Sequence, residues 1–306
     1  MSNLNPNSRV NSDKKNVILF NVFLNTEWDY NYISFAHYAL TTLYQVSSKE
    51  CNFDVLLCLS SNDKSFNFNF SHLNQFNLVS DFSGFSNFRI LKHDYNDENI
   101  DDIVYMCKWY SFEKAFELGY EKVFYCDSDV MFFQDPSYFF DKYDDEHFWT
   151  LFEPEWWVER LGYVTMNAGQ CMVHRKLLEP IFSKKSKHPF FEACILKKKE
   201  MNKRAWKWLV NGDMTKESYL SFKYFNEQYC VQEVLMDNNI TLKSFDRDEI
   251  DYGSDCVQIE DRRATDDLDG VPVFKNTPST IWHYTRNFSC DEKFLPKKYY
   301  KFDGWC

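Results

Sequence analysis

The chain has 306 residues, 44% of them hydrophobic, enough to bury a full core as one large domain or two closely packed ones. Its formal charge of −11 argues against broad electrostatic capture of nucleic acid or an anionic membrane, both of which need clustered positive charge. It leaves phosphorylated small molecules open, because a bound divalent cation reverses the sign of a local field. The 30 Phe and 19 Tyr, with abundant Asn and Lys, follow the codon usage of an AT-rich genome, such as that of a virus or a host-infecting organism. Single aromatics therefore carry little functional weight.

Residues 1–16 are polar and read as a disordered arm, with no signal peptide. Val17–Leu24 is a buried strand interrupted only by Asn21, far short of the roughly 20 residues that span a bilayer. Asp29 through Val46 carries a helical apolar pattern in Ile33, Ala36, Leu40 and Leu43. Phe53–Leu59 is the next buried strand. Residues 61–86 repeat Asn, Phe and Ser without a period and read as an insertion, and Arg89–Lys92 as a short strand. Tyr105, Trp109, Phe112 and Phe116 recur at helical spacing, and Leu118-Gly119 supplies the stop.

Val123–Cys126 is a short buried strand, followed by Asp127-Ser128-Asp129, a second apolar run Val130–Phe133, and the turn Gln134-Asp135-Pro136. Strands Phe148–Phe152 and Gln170–His174 flank Asn167-Ala168-Gly169. Arg175 to about Asn238 is mainly helical, with a break at Asn211-Gly212; an acidic loop near Asp266–Asp269 and a strand Thr280–Tyr284 complete the pattern. Alternating strands and helices predict a largely parallel sheet with helices on both faces. None of the ten cysteines forms a CxxC pair, and several lie in apolar runs (Cys58, Cys126, Cys171), which predicts reduced thiols in a cytoplasmic compartment. The glycosylation-type triplets at Asn69, Asn239 and Asn287 are then chance matches.

The chemistry centres on Asp127-Ser128-Asp129. Open α/β folds bind ligands at the carboxyl edge of the sheet, where the Val123–Cys126 strand delivers its last residues. Carboxylates at i and i+2 just past that edge can reach one hard cation, Mg²⁺ or Mn²⁺. Acidic pairs are common in loops, but apolar residues on both sides give these two little reason to exist as solvated surface.

The segment Leu118 to Val130, closed by Asp135-Pro136, resembles the metal-site segment of GT-A type glycosyltransferases, most closely the retaining families 8, 34 and 77. Met166-Asn167-Ala168-Gly169 resembles their Asn-x-Gly stretch at the donor-sugar and acceptor site. Asn226-Glu227-Gln228 resembles the acidic-Gln pair before a helix, and Trp282-His283-Tyr284 the late metal-binding histidine. The likeness runs loosely from Val17 to about Phe288, and its motifs are specific mainly as an ordered set.

The resemblance implies an α/β fold of the GT-A type, with a Rossmann-like, mixed and mostly parallel sheet flanked by helices. Residues 17–306 would be a single domain, with a nucleotide-binding half at 17–135 and an acceptor-binding half at 136–306. It implies a Mn²⁺-dependent (or Mg²⁺-dependent), anomer-retaining transfer of a hexose from a UDP-sugar, UDP-glucose or UDP-galactose, to a hydroxyl of a glycan or protein. Asp127, Asp129 and His283 would bind the metal. Gln228, Glu227 and Asn167 would be catalytic. Asn25, Thr26, Asp29, Lys108, Asp127, Ser128, Ala168, Gly169 and Arg286 would hold the nucleotide sugar.

Some of these residues have a plainer reading. Lys108 suits a solvated helix residue, His283 a packed histidine among aromatics, and Glu227-Gln228 a polar helix start. Two departures separate the chain from family 8: the acidic-Gln-acidic triplet reads Glu227-Gln228-Tyr229, and the Gly-x-x-Lys after the histidine is replaced by Thr285-Arg286-Asn287. Arg286 can take the diphosphate contact, since a guanidinium pairs well with phosphate oxygens. The pairs Trp156-Trp157 and Trp206-x-Trp208 suit stacking on acceptor sugars or ordinary core packing.

The rival enzyme is a haloacid-dehalogenase-type phosphatase with Asp127 as nucleophile, since Asp127-Ser128-Asp129-Val130 also fits that signature. That motif normally opens its domain, whereas here a strand–helix–strand unit precedes it. A sugar-nucleotide-forming nucleotidyltransferase should open with a Gly-rich loop, and Val17–Tyr30 has no Gly. An inactive sugar-binding protein of the same fold is the remaining alternative.

Overall fold

The computed structural model describes residues 15–24, 30–48, 51–61, 88–94, 103–152, 158–183, 186–247, 249–252, 265–267, 271–274, 277–278 and 280–283. In chain order the elements are β1 (Asn16–Phe23), α1 (Tyr30–Val46), β2 (Phe53–Ser61), β3 (Phe88–Asp94), α2 (Ile103–Glu117), β4 (Lys122–Cys126) and β5 (Val130–Phe132). A 3-10 turn at Pro136–Tyr138 leads into α3 (Phe139–Lys142), β6 (Phe148–Phe152), α4 (Val158–Leu161), β7 (Met166–His174) and α5 (Arg175–Phe182). Then come α6 (Pro189–Val210), α7 (Lys216–Phe225), α8 (Glu227–Asp237), β8 (Leu242–Ser244), β9 (Ile250–Tyr252), β10 (Thr265–Asp267), β11 (Val271–Phe274), β12 (Thr277–Pro278) and β13 (Ile281–His283). The expected arm at 1–16 lies outside the described residues up to residue 14, but Asn16 already belongs to β1; the expected insertion at 61–86 lies outside them except for Ser61, which is the last residue of β2.

A seven-stranded sheet in the order β3-β2-β1-β4-β7-β6-β8 forms the centre. β1 to β4 run parallel, β7 is antiparallel to both β4 and β6, and β8 is parallel to β6, so the sheet is mixed and mostly parallel. Both faces are covered, which is why β1 and β2 read as continuous apolar runs rather than alternating ones. Val17 and Leu19 of β1 pack with α2 on one side, and Ile18, Phe20 and Val22 with α1 on the other.

The polar interruption of β1 has a structural cause. Asn21 Oδ1 accepts hydrogen bonds from Ser60 Oγ at 2.8 Å and Ser111 Oγ at 2.7 Å, tying β1 to β2 and to α2. α2 ends where expected, with Gly119 at φ +103° in the left-handed region. Gly212, at φ +80°, closes α6 at the anticipated break.

Local expectations are corrected at two places: the acidic stretch near Asp266–Asp269 begins within strand β10 rather than in a loop, and the second lies in β7. Asn167-Ala168-Gly169 does not separate two strands; β7 runs through it as Met166–His174. The pairing with β6 jumps there, from Cys171 opposite Thr150 to Asn167 opposite Leu151. The three extra residues form a bulge, which lets this segment leave the regular ladder at the sheet's active edge.

Glu113 on α2 caps α6. Its Oε1 accepts the Phe190 N–H at 2.6 Å, with His188 Nδ1 3.5 Å from Oε2 and Glu117 and Glu192 nearby. Burial raises the Glu113 carboxyl to about 7, with the N–H groups of Phe190 and Phe191 partly offsetting it. The unfolded carboxyl titrates near ~4.3, so between that pH and about 7 the folded state holds the extra proton. This group's contribution to stability therefore falls as pH rises through the window. Burial, then Lys114, lower the His188 pKa, which acts in the opposite sense, so the carboxyl is read by comparison with Glu113→Gln, in which His188 is retained. The variant should match wild type in thermal unfolding below about pH 4.5 and exceed it above pH 7. Parallel profiles across that range would contradict the assignment.

Candidate active site

β4 delivers Tyr125 and Cys126 to the carboxyl edge, and the chain then turns through Asp127-Ser128-Asp129 into β5. β5 pairs antiparallel with β13 in the register Val130 to His283, Met131 to Trp282 and Phe132 to Ile281. That register carries His283 across 154 positions of sequence to Asp129, with Nε2 3.0 Å from Asp129 Oδ1 and 4.0 Å from Asp127 Oδ2. The three residues each offer a ligand atom within 4.8 Å of the others, with His283 buried and both aspartates partly so.

The opposite wall is the β7 bulge. The Asp127 N–H donates to Gly169 O at 2.7 Å, and Asn167 Oδ1 accepts the Gly169 N–H at 2.8 Å. A Cβ at Gly169 would lie 2.7 Å from His283 Cε1, 2.9 Å from its Nδ1 and 2.9 Å from Asn167 Oδ1. Close approach of the imidazole explains the glycine. Asn167 thus holds the bulge, Ala168 contributes its carbonyl to Lys108 at 3.2 Å, and Ser128 is buried within the turn.

Behind the cluster lies a buried ion network. Lys108 Nζ sits 3.6 Å from Asp127 Oδ1 and 3.6 Å from Glu227 Oε1. It is 5% exposed, so it is not a solvated helix residue but an internal counter-ion joining the Asp127 turn to the start of α8. Burial works against its charge, yet Asp127 and Glu227 outweigh it and raise the Lys108 pKa. Glu227 moves up because of burial, with Lys108 and Lys198 pulling the other way. For His283 burial lowers the pKa, and Asp129 and then Asp127 more than reverse it. Gln228 follows Glu227 on the first turn of α8 and is half-buried.

Two residues escaped the sequence reading. Tyr125 Oη donates to Asp127 Oδ1 at 2.6 Å, and burial, then Asp127, hold this phenol well above its ordinary pKa, so it remains a donor. The signal was the strand period, which puts residues 125 and 127 on one face. Lys198 reaches inward from α6 to Asn226 Oδ1 at 2.8 Å. Its spacing from Cys194, Met201 and Ala205 marks the buried face of α6, but it is masked by its neighbours Lys197 and Lys199. Asn25, Thr26, Asp29, Arg286 and the pair Trp156-Trp157 lie outside the described residues. Trp208 packs against Phe222, whereas Trp206 is exposed.

No protein-family model matches the chain, and no curated protein matches it in sequence. Solved structures do match. The galactosyltransferase LgtC, in complex with donor and acceptor sugar analogs, superposes with a TM-score of 0.50 at 14% identity, over 88% of this chain and 87% of LgtC. The bifunctional glycosyltransferase WbbM gives 0.51 at 12% identity, over 91% of this chain and 47% of WbbM. The glycosyltransferase GlyE of Streptococcus pneumoniae gives 0.50 at 13%, over 89% of this chain and 56% of GlyE. The chain spans about half the length of these last two. It has the GT-A glycosyltransferase fold.

The Gly169 contact yields a direct test. Gly169→Ala should cost about 1–3 kcal/mol of folding stability, because a methyl would be forced into the imidazole and the Asn167 carbonyl. Urea unfolding checks this, and an unchanged midpoint would place His283 away from the bulge.

Proposed function

We propose that the chain transfers a hexose from a UDP-sugar, UDP-glucose or UDP-galactose, to a hydroxyl of a glycan or protein, with retention at the anomeric carbon. The observation that carries this reading is the Asp127–Asp129–His283 cluster at the carboxyl edge of a GT-A sheet. Two carboxylates and an imidazole form a donor set suited to Mn²⁺ or Mg²⁺, and the missing Cβ of Gly169 keeps the imidazole beside them. When bound, the cation supplies Lewis-acid stabilisation of the donor diphosphate and of the charge that builds as it leaves.

The chain's own residues do the positioning. Tyr125 and Lys108 hold Asp127 Oδ1, which leaves Oδ2 on the side of His283. Lys108 also fixes Glu227, which we assign to the sugar hydroxyls, and Gln228 lies beneath the anomeric carbon. Asn25, Thr26 and Asp29 serve the base and ribose, and Arg286 the diphosphate. Asn167, Ala168 and Gly169 shape the donor-sugar wall. The acceptor oxygen bonds to the anomeric carbon, the bond from that carbon to the diphosphate breaks, and the acceptor proton passes to a leaving phosphate oxygen.

Asp129→Ala should abolish Mn²⁺-dependent UDP-sugar hydrolysis and transfer while the fold persists. Near wild-type turnover would remove the metal assignment, and a fluoroberyllate adduct on Asp127 would favour the phosphatase instead. Tyr125→Phe should weaken Mn²⁺ binding about 10- to 100-fold, read by electron paramagnetic resonance without substrate, as for other partners that orient a metal ligand. Unchanged binding would make Tyr125 a packing residue. His283→Ala should raise the Mn²⁺ needed for half-maximal activity with little loss of metal-free stability, and a structural histidine predicts the reverse.

A further inference from the structure

We propose that the solvent face of α6, continued by α7, docks on an anionic lipid surface. Among the described residues the four most exposed large apolar side chains are on α6 and α7: Leu196 is 62% exposed, Trp206 54%, Val210 66% and Leu220 53%, while Tyr44, Val164 and Met236 on other segments are each 45% exposed. Leu196, Lys199, Lys203, Trp206, Lys207 and Val210 recur at helical spacing and form one strip on α6. The opposite strip, Cys194, Lys198, Met201 and Ala205, is buried. Trp206 meets Tyr219 of α7 edge-on at 5.8 Å, so α7 continues beside the strip.

The basic residues divide by face. Lys197 pairs with Asp237 at 2.7 Å, Arg204 with Glu233 at 2.9 Å, and Lys198 is buried against Asn226. Lys199, Lys203 and Lys207 are exposed and carry no ion pair among the described residues. Between Lys184 and Lys223 the sequence holds eleven basic residues and four acidic ones, in a chain whose total charge is −11. The net charge argues against capture of the molecule as a whole, but it leaves this strip positive. The acidic remainder, repelled by anionic lipid, would help orient the strip toward it.

The alternation of cations with exposed apolar groups chooses the partner. A phosphate polymer needs only the lysines, whereas Trp206, Leu196 and Val210 gain by entering the boundary between headgroups and acyl chains. The aliphatic stems of the three lysines lie along that boundary while their ammonium groups stay with lipid phosphates. A second copy seated on the same strip would set Lys199, Lys203 and Lys207 against like charges. Glu192 and Glu217 flank the strip and Glu200 is held by Lys197 at 3.2 Å, so contact centres on residues 199 to 210.

The test is co-sedimentation of the full chain with phosphatidylcholine vesicles, with and without about 30% phosphatidylserine, near 0.1 M salt. Wild type should partition onto the anionic vesicles only. Lys199→Gln, Lys203→Gln and Lys207→Gln together should lower partitioning about a hundredfold, at roughly 1 kcal/mol per lysine. Trp206→Ser with Val210→Ser should lower it at least tenfold, by loss of inserted apolar area. All five positions are exposed and outside the proposed site, so UDP-sugar hydrolysis should be unchanged and report that the fold is intact. The proposal is overturned if wild type ignores anionic vesicles, or if either variant binds like wild type. It is equally overturned if only the lysines matter and heparin competes, which marks a polyanion site, or if Trp206→Ser with Val210→Ser converts a dimer to a monomer.

Discussion

The pairing of β13 with β5 is the constraint from which the site follows. β5 is only three residues long and continues directly from the Asp127-Ser128-Asp129 turn, so whatever strand pairs with it must lie beside those carboxylates. The register sets Val130 opposite His283, and the imidazole then falls 3.0 Å from Asp129. A slip of one residue would turn the side chain to the other face and empty the cluster of its only imidazole among the described residues. The register is in turn locked by apolar anchors, Ile281 and Phe132, which are buried in the core on the α1 side.

The same few ångströms depend on the bulge in β7. On the backbone found here a Cβ at position 169 would lie inside the imidazole, so only glycine fits beside His283. The bulge, held by Asn167 to the Gly169 N–H, re-aims the strand so that its backbone carbonyls face the site. Ala168 O receives Lys108, and Lys108 binds the α2 side of the fold to Asp127 and Glu227 together. A buried ammonium between two carboxylates is costly to desolvate and contributes little net stability; its value lies in fixing where those carboxylates point.

Much of this was legible in the residues. β1, β2 and β4 announce themselves because strands buried on both faces are continuously apolar, and α2 because Tyr105 to Phe116 keep a helical period up to Gly119. The carboxylates stood out as charges where only apolar neighbours surround them. The bulge was not legible: Asn-Ala-Gly looks like a turn, and only the pairing of β7 with both β4 and β6 makes it an irregularity within a strand. For Lys108 the resemblance implies a nucleotide-sugar contact, but its ion pairs with Asp127 and Glu227 were not legible, since a lysine on a helix declares neither its face nor its partner until the sheet beneath it is known. Tyr125 was hidden by its own surroundings, one aromatic among many, although its period-two relation to Asp127 was available.

The central claim is that Asp127, Asp129 and His283 together hold one divalent cation. Anomalous diffraction at the manganese edge, from crystals grown with Mn²⁺ and UDP, tests it most directly. The account predicts a single strong peak within bonding distance of a carboxylate oxygen of each aspartate and of His283 Nε2. A peak bound elsewhere, or density for UDP at this edge of the sheet with no manganese between the three residues, would contradict it.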